Sequence, residues 1–177
     1  MIIEYYNKAV NKFSLEGLKY LVSLSKKGID RYRDDQDKQK MFIDVYNVTA
    51  MCLKEELEVF DSFGVDTSDT KGFMDSLIRS IDGLSYKELL AVLFVFKGAS
   101  NELLGENHIY DYLYERINER INLMREFALA RYSKMPSSIS MEECEILLDI
   151  KPKTSFTDNT LLDVTAKDVY HSLKRRI

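Results

Sequence analysis

Proline and glycine are scarce. Two prolines and seven glycines in 177 residues are too few for the many tight turns of a β-sandwich or barrel. Tryptophan is absent, and there are only two histidines and two cysteines. With no Glu-x-x-His pair, the carboxylate–histidine ligand set of a di-iron bundle is missing. No glycine-rich phosphate loop, dinucleotide fingerprint, His-Glu-x-x-His or Gly-x-Ser-x-Gly motif occurs. The longest unbroken apolar run, Leu89 to Phe96, is far too short to span a bilayer, so no membrane association is expected. The chain opens Met-Ile-Ile-Glu-Tyr-Tyr, without the basic-then-apolar order of a secretory signal. A cytoplasmic protein is expected. Cys52 and Cys144 lie far apart in apolar helical patterns, which reads as two reduced, buried thiols.

What is present points to helices. Apolar residues make up 45% and charged residues 31%, which suits amphipathic helices around one core. The expected fold class is all-α: a single multi-helix, bundle-like domain with long central helices and a small helical C-terminal segment. Ile3, Tyr6, Val10 and Phe13 mark a first helix. Ser14 caps a second, which carries Leu15, Leu18, Leu21 and Val22 and is expected to end at Gly28. The charged stretch Asp30 to Asp37 reads as a loop or frayed start. Phe42, Tyr46, Ala50, Leu53, Leu57 and Phe60 form one continuous face, widened by Met41, Val45, Val48 and Cys52, with a stop at Phe63-Gly64. A short helix from Phe73 to Ile81 follows.

Ser85-Tyr86-Lys87-Glu88 is a capping box, with Leu84 and Leu89 at the staple positions. The apolar run after it has a length that would suit a strand, and the capping box decides for a buried central helix. Gly98 and Gly105 interrupt the pattern. Asn107 caps a long helix along Ile109, Leu113, Ile117, Ile121, Met124 and Ala128. Ser140 to Glu143 is a second capping box, staple-flanked by Ile139 and Cys144. Thr165 to Asp168 is a weaker one, starting a terminal helix with Ala166, Val169, Tyr170, Leu173 and Ile177 on its apolar face. Pro136-Ser137-Ser138 is the one proline–serine cluster, so a core domain of residues 1–135 and a C-terminal segment of residues 136–177 are expected, the second packed on the first.

No catalytic, cofactor-binding or metal-binding residue stands out, and no cofactor is expected. His108, Asp111 and Glu115 can share a helical face, but an acid in the polar first turn of a helix explains them as well. Function is therefore expected to lie in surface. The leading expectation is a non-enzymatic helical interaction protein, an adaptor, accessory subunit or regulator that binds another protein. Charge segregates along the chain. Residues 54–75 carry seven acids against two lysines, and residues 167–177 carry four bases against one acid. The basic terminal run is the expected partner-binding element: Lys167, Tyr170, His171, Lys174, Arg175 and Arg176. The alternative is a nucleic-acid-binding regulator using a basic and aromatic face of the long helix, Tyr112, Arg116, Arg120 and Arg131. Glutamates interleave with these arginines, which also fits ordinary intrahelical pairing. A third reading is a helical enzyme whose site assembles only on folding. Tyr110, Tyr114 and Leu123 lie off the main stripe of the long helix, and a second apolar face there would support a homo-oligomer.

Overall fold

A computed structural model describes residues 2–60, 70–99 and 108–150. Every regular element among them is helical, with bundle-like packing. The α-helices run α1 Ile2–Val10, α2 Leu15–Arg31, α3 Gln36–Phe60, α4 Thr70–Asp82, α5 Tyr86–Ala99, α6 His108–Lys134 and α7 Met141–Asp149. The stops at Phe63-Gly64 and Gly105, the cap at Asn107 and the helix from Thr165 onward lie outside the described residues.

The local signals act as the sequence chemistry requires. The Ser14 hydroxyl accepts from the Gly17 amide at 3.3 Å and starts α2. The Asp35 carboxylate accepts from the Lys38 amide at 3.2 Å at the start of α3. At α5 both arms of the capping box close: the Glu88 amide donates to Ser85 Oγ at 3.3 Å, and the Ser85 amide donates to Glu88 Oε1 at 3.0 Å. Its staple residues Leu84 and Leu89 are buried. Reciprocal satisfaction of these otherwise orphaned amides fixes the helix start. At the other end of α5, the Arg31 guanidinium donates to the Lys97 carbonyl at 2.9 Å and caps the last turn.

Two compact units divide the chain, Met1–Asn118 and Glu119–Ile177, and the division falls inside α6. The expected division after residue 135 concerns a segment of which residues 151–177 lie outside the described residues. Pro136–Ser138 forms a single 3-10 turn.

In the first unit, α2 packs on α3, α4 and α5, and α1 packs on α3 and α5. The core extends beyond the faces of α3, α5 and α6 read from the sequence. Tyr6, Ala9 and Val10 of α1 and Leu15, Leu18, Leu21 and Leu24 of α2 are all buried. The face of α3 is rotated from the expected one: Phe42, Val45 and Thr49 are buried, whereas Tyr46, Ala50 and Leu53 are half-buried and Met41 is exposed. A threonine takes a core position because its polar atom is satisfied. Thr49 Oγ1 donates to the Val45 carbonyl at 2.7 Å, which leaves it to accept from the Tyr6 hydroxyl at 2.6 Å.

One glycine corrects the sequence reading: Gly28 lies within α2, which runs on to Arg31, whereas Gly98 falls in the last turn of α5, where the pattern is expected to break. Both are buried under one ring. A β-carbon at Gly28 would lie 2.2 Å from Phe42 Cδ1, and one at Gly98 would lie 1.8 Å from Phe42 Cζ. The Phe42 ring also stacks on Tyr32 at 5.6 Å and on Phe94 at 5.3 Å between centroids. The missing side chains make a slot that brings α2, α3 and α5 together, and this is why helix-weakening residues stand where they do.

Cys52 and Cys144 are free. Cys144 is buried as expected. Cys52 is half-buried, against the expectation, with its thiol 3.8 Å from the Val10 carbonyl.

Candidate functional site

Among the described residues, no group of three His, Cys, Asp or Glu side chains could hold a metal ion. The perturbed ionisable groups sit in packing positions. Burial pushes the Tyr6 and Tyr20 hydroxyls well above their ordinary range. Burial likewise raises Tyr110 to about 12, and its hydroxyl donates to the Phe96 carbonyl. Burial would also raise Glu88, but the ammonium of Lys12 at 2.6 Å and the hydrogen bonds from Ser85 outweigh it and lower its pKa. Lys12 also donates to the Gly83 carbonyl at 3.4 Å. Glu88 therefore ties the end of α1 to the turn before α5. The Thr49 hydroxyl at 2.6 Å from Tyr6 and the Ser85 hydroxyl at Glu88 act as hydrogen-bond partners in the packing.

The candidate basic face is largely occupied by its own acids. Arg116 makes a two-pronged pair with Asp82, Nε to Oδ1 at 3.0 Å and Nη2 to Oδ2 at 2.8 Å. Arg131 pairs with Glu143 at 3.0 Å and donates to the Ser138 carbonyl at 2.7 Å. Arg120 is half-buried, and Tyr112 is exposed. Lys167, Tyr170, His171, Lys174, Arg175 and Arg176 lie outside the described residues, as does the side chain of His108.

The apolar face off the main stripe of α6 differs from the expected one. Tyr110 is buried, with its ring 5.3 Å from Phe96 and 6.0 Å from Tyr114. The exposed apolar side chains lie further along. Leu123 is 55% exposed and Phe127 is 61% exposed, with Ala130 exposed beside them. At 3.6 residues per turn, positions 123, 127 and 130 fall within an arc of ~60°. Ile121 and Ala128, the buried residues of the same stretch, point ~130–150° away from that arc. This part of α6 has two apolar faces, one buried and one open.

The ridge is bracketed by charge. Glu119 and Glu126 flank one side by helical position, Arg120 and Arg131 the other. Arg131 lies 5.8 Å from the centroid of the Phe127 ring, a cation–π distance. Its bonds to Ser138 and Glu143 tie α6 to the 3-10 turn and to α7. Glu143 serves twice: Oε1 accepts from the Ser140 amide at 3.1 Å in the capping box of α7, and Oε2 holds Arg131. Ile139 and Cys144, the staple residues, are buried together with Ile146 and Leu147. The sequence reading found Leu123 and missed Phe127 and Ala130. Their three- and four-residue spacing from Leu123 was the available signal.

Comparison with protein-family models, with curated proteins and with solved structures finds no match to the chain. No helix among the described residues is long and apolar enough to cross a membrane.

Proposed function

We propose that this protein acts by binding another protein, as an adaptor, accessory subunit or regulator, without catalysing a reaction of its own. The contact is the Leu123–Phe127–Ala130 ridge of α6. The observation that carries this reading is the exposure of Leu123 and Phe127, one turn apart, on a stretch whose other apolar face is already buried. A leucine and a phenylalanine left in water at helical spacing fit the apolar side of a partner helix or groove, and the charged border gives such a contact register. The two free thiols support a reducing, cytoplasmic setting. A protein partner is favoured over nucleic acid because Arg116 and Arg131 already hold carboxylates, and a phosphate backbone would have to displace them.

The test is affinity capture from cell extract with the intact chain and with Leu123→Gln/Phe127→Gln. A protein recovered by the first and lost by the second, at unchanged melting temperature, is the expected result. Equal recovery by both, or turnover of a small molecule by the purified chain, overturns the proposal.

A further inference from the structure

We infer that a second copy of the chain docks antiparallel on the α6 ridge, in one register, and covers it where no other partner does. This inference rests on the reading of the ridge as a contact surface.

Spacing is the first argument. Leu123, Phe127, Ala130 and Lys134 fall within one arc of ~60° on α6, and all four side chains are exposed. Leu123 precedes Phe127 by four residues, and Ala130 precedes Lys134 by four. A two-fold axis crossing the ridge between the levels of Ala128 and Leu129 therefore sets two pairs face to face at once. Phe127 meets the second copy's Ala130, and Leu123 meets the second copy's Lys134. By symmetry each pair occurs twice. The ring fills the space that the small side chain leaves, and the methylene stem of the lysine lies along the leucine.

Charge is the second argument, and it sets direction. Side chains on a helix lean toward its N-terminus. In the antiparallel pair this carries the Lys134 ammonium past the second copy's Leu123 toward its Glu126, and Glu126 leans back toward the ammonium. Both groups are exposed. Parallel docking in register stacks Phe127 on Phe127, leaves a gap between the two Ala130 side chains and sets Lys134 against Lys134. Arg131 stays on its own Glu143 and on the Ser138 carbonyl.

Size is the third argument, and it sets strength. From Leu123 to Lys134 the contact extends over ~16 Å of helix axis, with two large apolar side chains from each copy. A stable dimer buries about 800 Å² on each partner, which a contact of three turns does not reach. The pair is therefore weak, with Kd on the order of 0.1–1 mM. At low concentration the ridge is open. Where the chain accumulates it closes on itself, and another protein meets only the open fraction.

The test is sedimentation of the full chain from about 10 µM to about 1 mM, a span that brackets such a Kd. The expected result is monomer at the bottom of the range and a growing share of dimer at the top. Glu126→Lys and Lys134→Glu should each weaken the dimer several-fold, and the chain carrying both should regain it. Leu123→Gln/Phe127→Gln should abolish it. Monomer throughout, a dimer indifferent to the two charge reversals, or a dimer that survives the glutamine substitutions overturns the inference. Failure here is distinct from failure of the partner reading. A chain that stays monomeric, with capture still lost in the glutamine variants, removes the second copy and leaves the partner contact standing.

Discussion

Helix α5 and the second half of α6 are both rich in apolar residues, yet they are used in opposite ways. In α5, ten of fourteen residues are buried, including Leu89, Val92, Val95 and Phe96. Even its glycine is covered, by the Phe42 ring. From Glu119 onward α6 buries Ile121 and Ala128 and leaves Leu123 and Phe127 in water. The first helix has most of its apolar surface taken up, by α1 and α2 and by the Phe42 ring of α3. The second has a surplus that its own unit does not consume among the described residues. Apolar surface committed to packing explains stability, and apolar surface left open is where association is to be sought.

The contrast breaks first at Phe42. Phe42→Ala should cost about 3–5 kcal/mol, since it empties a slot lined by two helices and two stacked rings. Gly98→Ala should cost about 1–3 kcal/mol, because the ring body rather than a flexible side-chain end stands in the way. The sharper test combines them. In the Phe42→Ala background, Gly98→Ala loses its obstacle and gains up to about 1 kcal/mol of helix propensity, so its sign should reverse. Urea denaturation of the four chains measures this cycle. Additive losses would mean that the glycine is not there for the ring.

A smaller loss is expected at Glu88, the buried carboxylate that caps α5 and holds Lys12. Glu88→Gln removes a charge-assisted bond and should cost about 1–3 kcal/mol by thermal or urea melt. Its pH dependence has a definite sign. Because the folded pKa lies below the unfolded one, the pair's stabilisation is fully present above the ordinary carboxylate range. It is lost as pH falls through the folded pKa. The wild-type chain should therefore lose stability in acid more steeply than Glu88→Gln. Parallel pH profiles would remove Glu88 from the acid response. In the second unit, Ser140→Ala opens the capping box of α7 and should cost about 1 kcal/mol, read as a lower urea midpoint.

Much of this contrast was legible in the sequence, and the parts that were not share a cause. Helix starts are local: Ser14, Ser85 and Ser140 each act on the amide three residues away, so spacing alone located them. The run from Leu89 to Phe96 was assigned to a buried helix on its capping box, and α5 is that helix. Gly28 was misread as a helix end, and the packing reason for both Gly28 and Gly98 is a ring on another helix, which no local pattern carries. The Thr49 position on α3 failed likewise, since a threonine counts as polar until the Tyr6 hydroxyl is seen against it. On α6 the stripe through Leu113, Ile117, Ile121 and Ala128 was read correctly. Which off-stripe residue stays open depended on neighbours: Phe96 and Tyr114 stack with Tyr110, and nothing described covers Leu123.

The smallest effect on stability is expected where the largest effect on binding is. Leu123→Gln and Phe127→Gln replace exposed apolar side chains with a residue that favours helix nearly as well, so each should change stability by no more than about 0.5 kcal/mol. The Arg131 contact with the Phe127 ring is exposed, so its loss in Phe127→Gln stays within that bound, at the low end of the roughly 0.5–1 kcal/mol of an exposed cation–π pair. Arg131 itself remains held by Glu143 and Ser138, so α7 should keep its place. A core position of the same size behaves differently: Phe96, buried in α5, should lose about 3–5 kcal/mol on truncation to alanine. Thermal melts of Phe127→Gln and Phe96→Ala, run side by side, compare the two kinds of phenylalanine directly. A large loss at Phe127 would mean that the ridge is interior in the folded protein and has no surface to offer. A near-neutral melt, with partner capture abolished, would show that this apolar surface serves association and contributes little to the fold.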